Sequence, residues 1–354
     1  MPPEFNQPIL RSDYSYELPE ELIAKDPITP RDHSRMMVLD RKSHRIQHRH
    51  FHQFPDYLEP GSILVINDSR VLPARLPGKR ASGGFIELLL VEPVEENTWS
   101  CKVKNSSRLK IGETLYLCDE NLVAVLKEKT PSGECRVEFT ETSDLFSDLE
   151  KYGYAPIPPY IHKARQDDGN RVQDLINYQT IYADTYGSIA APTAGFHFTP
   201  AILKKIKDKE IEILTVTLNV GLGTFEPIRV DDVSKHIMHE EKFFISETVA
   251  QKIETGKKEG RKIVTVGTTT VRTLESAWDN GRLRTGHQKT SLFIYPSYQY
   301  KVADQVLTNF HLPQSTLLML VCAFGGKDFV MNAYEQAVIE RYRFFSFGDC
   351  MCLL

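Results

Sequence analysis

Between about Val71 and Glu150, short strand-like runs follow one another with no helical pattern between them. Phe85–Val91, Thr98–Val103, Glu113–Cys118, Leu122–Lys127 and Cys135–Phe139 are punctuated by Gly, Pro, Asn and Asp. Strands spaced by roughly ten to fifteen residues and joined by turns predict a small antiparallel barrel. The flanking sequence has another texture. Ile63–Asn67 is a continuous apolar run, the pattern of a strand buried on both faces. From Tyr152 onward, strand and helix patterns alternate. Helices are expected at Pro200–Lys209, Ser246–Gly260, Thr270–Asp279 and Asp328–Phe345, with a shorter one at Leu18–Ala24. Strands are expected at Met36–Asp40, Glu212–Leu218, Lys262–Gly267 and Ser291–Tyr295. Alternation of this kind implies α/β layers. The expected architecture is therefore an α/β main domain made of residues 1–70 and 151–354, with a small antiparallel β-barrel domain inserted at 71–150. A chain of 354 residues is long enough for two cores.

The formal charge of −4 argues against a protein that coats nucleic acid, although RNA binding follows the local arrangement of charge. None of the six cysteines has the spacing of a zinc knuckle, and nothing at the N-terminus reads as a signal peptide. A reducing cytoplasm and no metal are expected. Cys352 stands third from the end, so the prenylation pattern is not met. No apolar run reaches the ~18 residues of a membrane span.

Chemistry is expected in a set of small-residue loops. Residues 190–199, Ala-Ala-Pro-Thr-Ala-Gly-Phe-His-Phe-Thr, carry no charge and set His197 between two aromatic rings. Taken alone, this is a packing turn around a satisfied histidine; small residues such as Thr193 and Gly195 equally let a ligand approach the backbone. Asn219-Val-Gly-Leu-Gly-Thr-Phe follows an expected strand and puts Gly221, Gly223 and Thr224 in the same position. Gly267-Thr-Thr-Thr-Val-Arg-Thr-Leu-Glu runs from a strand into a helix. Its N–H groups and the hydroxyls of Thr268, Thr269 and Thr270 suit a carboxylate, a phosphate or a nucleotide hydroxyl. Arg272 and Glu275, three apart, are placed to pair with each other. Asn309, His311 and Gln314 share the polar turn Thr308-Asn-Phe-His-Leu-Pro-Gln-Ser-Thr, and His239 precedes Glu240 and Glu241. A carboxylate beside an imidazole fixes its tautomer and raises its basicity.

Positive charge lies in the N-terminal half. Arg41-Lys-Ser-His-Arg-Ile-Gln-His-Arg-His reads as a solvated hairpin or as an RNA-backbone contact. Arg70 and Arg75 stand at the domain junction, and Lys102, Arg108 and Lys110 form a basic run on the expected barrel.

Several strings together resemble one family. They are Asn67-Asp-Ser-Arg-Val-Leu-Pro-Ala-Arg-Leu, the 190–199 decamer, Gly221-Leu-Gly-Thr-Phe, Met238-His-Glu-Glu, Val266-Gly-Thr-Thr-Thr-Val-Arg-Thr-Leu-Glu-Ser, Thr308-Asn-Phe-His-Leu-Pro-Gln-Ser-Thr and Tyr342-Arg-Phe-Phe-Ser-Phe-Gly-Asp. In order along the chain from about Asp13 to Asp349, they resemble the S-adenosylmethionine:tRNA ribosyltransferase-isomerases of queuosine biosynthesis. The resemblance implies transfer of the ribosyl group of S-adenosylmethionine to 7-aminomethyl-7-deazaguanine at the tRNA wobble position. Isomerisation then gives epoxyqueuosine, with adenine and methionine released. S-adenosylmethionine is thus a consumed substrate, and no separate cofactor is implied. An α/β domain interrupted by a β-barrel is implied as well.

That chemistry needs a base for the ribose 5′ proton, a donor to the departing adenine, an unprotonated amine and donors for anionic groups. His197, His239 and His311 are the candidates for proton transfer, with Glu240 or Glu275 orienting them. Gly267, Thr268, Thr269 and Thr270 are the candidates for the methionine carboxylate or a ribose hydroxyl, with Arg272 beside them. Asn309 and Gln314 are expected to read a base edge. Arg70, Arg75, Lys102, Arg108 and Lys110 are the tRNA candidates, and a monomer is expected. Asn219 stands where the resemblance leads one to expect a histidine, which moves the base role elsewhere. Two other classes compete: a methyltransferase, disfavoured because no Gly-x-Gly-x-Gly loop follows an early strand, and a non-catalytic tRNA-binding protein.

Overall fold

The computed structural model describes residues 8–130, 133–158, 160–161, 171–221, 228 and 230–354. The chain divides into two compact units. One holds the chain up to Ser69 with Thr180–Ala183 and Pro192–Leu354; the other holds Arg70–Gln179 and Asp184–Ala191. The second unit therefore extends beyond the 71–150 insert expected from strand texture.

Three strands come first: β1 (Arg35–Asp40), β2 (Arg45–His50) and β3 (Ile63–Asn67). The chain then enters the second unit, where β4 (Arg75–Arg80), β5 (Phe85–Glu95), β6 (Thr98–Lys104), β7 (Thr114–Leu117), β8 (Leu122–Lys129) and β9 (Glu134–Phe139) close an antiparallel barrel. Alternation makes it: Ile86, Leu88 and Leu90 of β5 and Cys135, Val137 and Phe139 of β9 are buried, while their neighbours are not. Cys101 and Cys135 pair across β6 and β9 as small apolar fillers. Helices α1 (Leu145–Tyr152) and α2 (Arg171–Asn177) follow.

In the first unit, α3 (Pro200–Asp208) precedes β10 (Glu212–Leu218) and β11 (Glu241–Ile245). Next come α4 (Glu247–Lys258), β12 (Ile263–Val266), α5 (Thr268–Ala277), β13 (Gly286–Thr290) and β14 (Gln305–Asn309). The apolar α6 (Thr316–Gly325), then α7 (Lys327–Ile339) and β15 (Cys350–Leu353) end the chain. Ser246 is the N-cap expected from the sequence; it, Thr199 and Ser315 each accept a first-turn N–H through their side chains.

Among the described residues the large sheet has nine strands, in the order β13-β11-β10-β3-β12-β14-β15-β1-β2. β10, β3, β12 and β14 are mutually parallel. Period two sorts side chains between two cores. Met37, Leu39, Met351 and Leu353 face the cluster built by α6 and α7, whereas Met36, Val38, Cys350 and Cys352 face the one built by α3 and Phe51–Leu58.

Some expected elements differ. Leu18–Ala24 yields only the turn Glu20–Leu22, because Pro19 precedes it and Ile23 is already extended. The last helix stops at Ile339 rather than Phe345: Arg341 takes a left-handed φ of 55°, and Tyr342 and Phe344 turn inward to the core. The strand expected at Ser291–Tyr295 lies instead at Gly286–Thr290, and Ile294 is buried in the α6–α7 core. No single helix among the described residues is long and apolar enough to cross a membrane.

Candidate active site

Because β10, β3, β12 and β14 run parallel, Leu218, Asn67, Val266 and Asn309 end on one edge of the sheet. The chain passes from β10 on one side of β3 to β12 on the other. Open α/β sheets bind ligands at such a switch, outside the strand carboxyl ends. The loops singled out at 190–199, 219–221, 267–270 and 308–311 all converge on this edge or on residues bonded to it.

His197 ends a short 3-10 turn, Thr193–His197, and is 3% exposed. Its Nδ1 lies 2.7 Å from Ser34 Oγ, and its Nε2 lies 3.3 Å from Asn309 Nδ2. An amide nitrogen only donates, so Nε2 accepts, and the network assigns the ring proton to Nδ1, where Ser34 receives it. Asn309 Oδ1 in turn accepts from Thr193 Oγ1 at 3.0 Å. The loop is thus tied to the end of β14 through both its threonine and its histidine. Burial, helped by the charges of Arg31 and Arg343, pushes the imidazole pKa down to about 3, so the ring is neutral at pH 7. A cleft lined by Arg31, Phe196 and Phe347 reaches the ring. Gly195 leaves room for a close neighbour: a Cβ there would lie 2.1 Å from the Tyr182 hydroxyl.

His311 is held through Nε2 by Thr308 Oγ1 at 2.8 Å, and burial lowers its pKa to about 3. Asn309 does not present a free amide for reading a base, since its contacts are Thr193, His197 and the Asp349 carbonyl. Gln314 bonds the N-terminal segment at Tyr14 and Ser15.

Gly267 has φ of 87°, which the sharp turn from β12 into α5 demands. The helix starts at Thr268, two residues earlier than expected, and its first turn has no side-chain cap among the described residues. Two of the three threonines are committed internally. Thr270 Oγ1 bonds the Val266 carbonyl, and Thr269 Oγ1 accepts from Asn67 Nδ2. Asn67 also brackets Leu218, its Nδ2 donating to the Leu218 carbonyl and its Oδ1 accepting the Leu218 N–H, which locks β3 to β10.

Arg272 does not pair with Glu275. Its Nη1 pairs with Glu241 Oε2, both side chains being under 5% exposed, and its Nε donates to the Leu292 carbonyl. Glu241 Oε1 accepts from the Gly221 N–H at 3.4 Å. Glu275, expected to orient an imidazole, instead accepts from Tyr298 Oη and from the N–H groups of Lys301, Val302 and Ala303. His239 and Glu240 are exposed, with Glu240 in an ion pair with Lys289. Gly223 and Thr224 lie outside the described residues.

A family model described as queuosine biosynthesis protein matches residues 11–353. The chain belongs to this family. A relative from Thermotoga petrophila, named S-adenosylmethionine:tRNA ribosyltransferase-isomerase, is 48% identical over 97% of this chain and 99% of its own. A Sulfurihydrogenibium relative of the same name is 46% identical, covering 97% of this chain and 99% of its own. The crystal structure of the Thermotoga maritima S-adenosylmethionine tRNA ribosyltransferase aligns with a TM-score of 0.56 at 40% identity, over 97% of this chain and all of that one.

In this member of the family the tRNA candidates lie in the second unit and differ in kind. Arg75 is 8% exposed and bonded to Glu87 at 2.8 Å, so it is an internal ion pair. Arg70 pairs with Glu150 and lies over the Tyr186 ring. Lys102, Arg108 and Lys110 are exposed on the barrel. Ser34 and Asp349 escaped sequence reasoning. Asp349 accepts the N–H groups of Arg35 and Arg343, and burial raises its carboxyl pKa. Nothing local to Ser34 signals His197, 163 positions away, and nothing local to Asp349 signals Arg35, 314 positions away.

Proposed function

We propose that this chain transfers the ribosyl group of S-adenosylmethionine to 7-aminomethyl-7-deazaguanine at the tRNA wobble position and isomerises it, giving epoxyqueuosine-tRNA, adenine and methionine. Membership of the queuosine biosynthesis family, with relatives bearing the ribosyltransferase-isomerase name over nearly their whole length, carries this reading. The strand edge supports it. The neutral His197 imidazole, which a cleft reaches, is the first candidate for proton transfer to the departing adenine. His311 is the second candidate for proton transfer, and His239 the third. The first-turn N–H groups at Thr268–Thr270, with no side-chain cap among the described residues, suit hydroxyls or a carboxylate of the donor. Lys102, Arg108 and Lys110 supply phosphate contacts. S-adenosylmethionine is consumed as a substrate. The six cysteines, all free and buried, support a reducing cytoplasm as the working compartment, and we read the working form as a monomer.

The test is incubation with ribosyl-labelled S-adenosylmethionine and tRNA bearing the deazaguanine precursor. Label in tRNA together with free adenine supports the proposal. Transfer of the methyl group alone, or binding without turnover, overturns it. His197→Ala is expected to lower turnover by ~100-fold or more.

A further inference from the structure

Two buried polar atoms beside the strand edge have no partner among the described residues. Arg272 commits Nη1 to Glu241 and Nε to the Leu292 carbonyl, and its Nη2 meets no acceptor among the described residues, although the side chain is 3% exposed. Asn219, first beyond β10, donates its backbone N–H to the Lys242 carbonyl at 2.9 Å, while its side-chain Oδ1 is buried and meets no donor among the described residues. Native proteins rarely leave such groups unmade, because each forfeits its hydration without replacement. Both orphans flank one carboxylate: Glu241 bonds Arg272 with one oxygen and the N–H of Gly221, two residues past Asn219, with the other.

The orphans are opposite in kind. Nη2 is a cationic donor and asks for an anionic acceptor; the amide oxygen is an acceptor and asks for an N–H or O–H. Glu241 already balances the guanidinium. A ligand matching this set carries a carboxylate and a neighbouring ammonium and is itself neutral overall. We propose that Arg272 Nη2 and Asn219 Oδ1 receive the α-amino-acid end of S-adenosylmethionine, the carboxylate on Arg272 and the ammonium on Asn219. This leaves the α5 N-terminus at Thr268–Thr270 to the ribose hydroxyls. The assignment rests on the proposed use of S-adenosylmethionine and adds which part of it these residues hold.

The test compares S-adenosylhomocysteine with 5′-methylthioadenosine, the same nucleoside thioether without the amino-acid end, by calorimetric titration of the full chain. Wild-type protein is expected to favour S-adenosylhomocysteine by at least about tenfold in Kd. Arg272→Lys keeps a cation for Glu241 but removes the second arm; Asn219→Ala keeps the backbone bond and does not touch the ion pair. Each is expected to cut the preference by about fivefold or more while leaving the Kd for methylthioadenosine within about twofold. If Arg272→Lys does not fold, Asn219→Ala alone decides. A wild type that binds both molecules alike overturns the subsite and leaves the ribosyl-transfer reading intact. So do variants that keep the wild-type preference or weaken both ligands equally. A wild type that binds neither overturns both.

Discussion

Asn309 Nδ2 stands 3.3 Å from Nε2 of His197, and that single contact settles which imidazole nitrogen is unprotonated. With Ser34 on Nδ1, the buried ring is held neutral between a donor and an acceptor. The same amide draws the Thr193 hydroxyl onto the end of β14. The position of the 190–199 loop and the protonation of its histidine are therefore one property.

Stability is expected to fall on acidification, with His197 contributing. Its folded pKa of about 3 lies below the ~6.5 of an unfolded histidine. The unfolded chain therefore binds the extra proton between these values. The contribution is fully present above about pH 6.5 and is lost as pH falls towards 3, with a slope approaching ~1.4 kcal/mol per pH unit. Urea unfolding of His197→Gln should show a pH dependence shallower by about one proton in that window. An unchanged slope would mean that the imidazole is not kept neutral by the fold.

Glu241→Ala should be severely destabilising, by ~3–5 kcal/mol, because it strands the Arg272 guanidinium in a buried site. Replacing both residues with leucine should recover much of that loss, since the pair is removed together. A double-mutant cycle in urea makes the comparison. A Glu241→Ala loss below about 1 kcal/mol would show that water reaches the guanidinium.

What the sequence made legible follows from how local each cause is. The barrel and the strand β3 were readable because alternation and a continuous apolar run are properties of neighbouring residues. The cap Ser246 was readable for the same reason. The loops 190–199 and 267–270 stood out through their missing charge. Partners were not readable. Arg272 and Glu275 sit one helical turn apart and look like a pair, yet Arg272 turns to Glu241 on β11 and Glu275 to the backbone of 301–303. Ser34 meets His197 across 163 positions of chain, a distance no periodicity encodes.

Gly195→Ala is expected to destabilise the protein by ~1–3 kcal/mol through overpacking. The new methyl would sit 2.1 Å from the Tyr182 hydroxyl and 2.7 Å from the Thr180 methyl. Adding Tyr182→Phe should return part of the loss, because the phenol oxygen makes the shortest contact. Urea midpoints of the single and double variants check this. Wild-type stability in Gly195→Ala would show that the turn holding His197 has room to move.

Glu275→Gln tests whether this buried carboxylate acts in chemistry or in scaffolding. It accepts four hydrogen bonds, three of them from consecutive backbone N–H groups at 2.9–3.1 Å. An amide keeps one acceptor oxygen and points N–H groups at N–H groups, so at least one donor is left unmade. A loss of about 3 kcal/mol in urea unfolding is expected. The carboxylate bonds no histidine in this network, so turnover per folded molecule should fall by less than about tenfold, well short of a proton-transfer group. A ~100-fold fall in turnover at unchanged stability would reverse the assignment and put Glu275 among the groups that touch substrate.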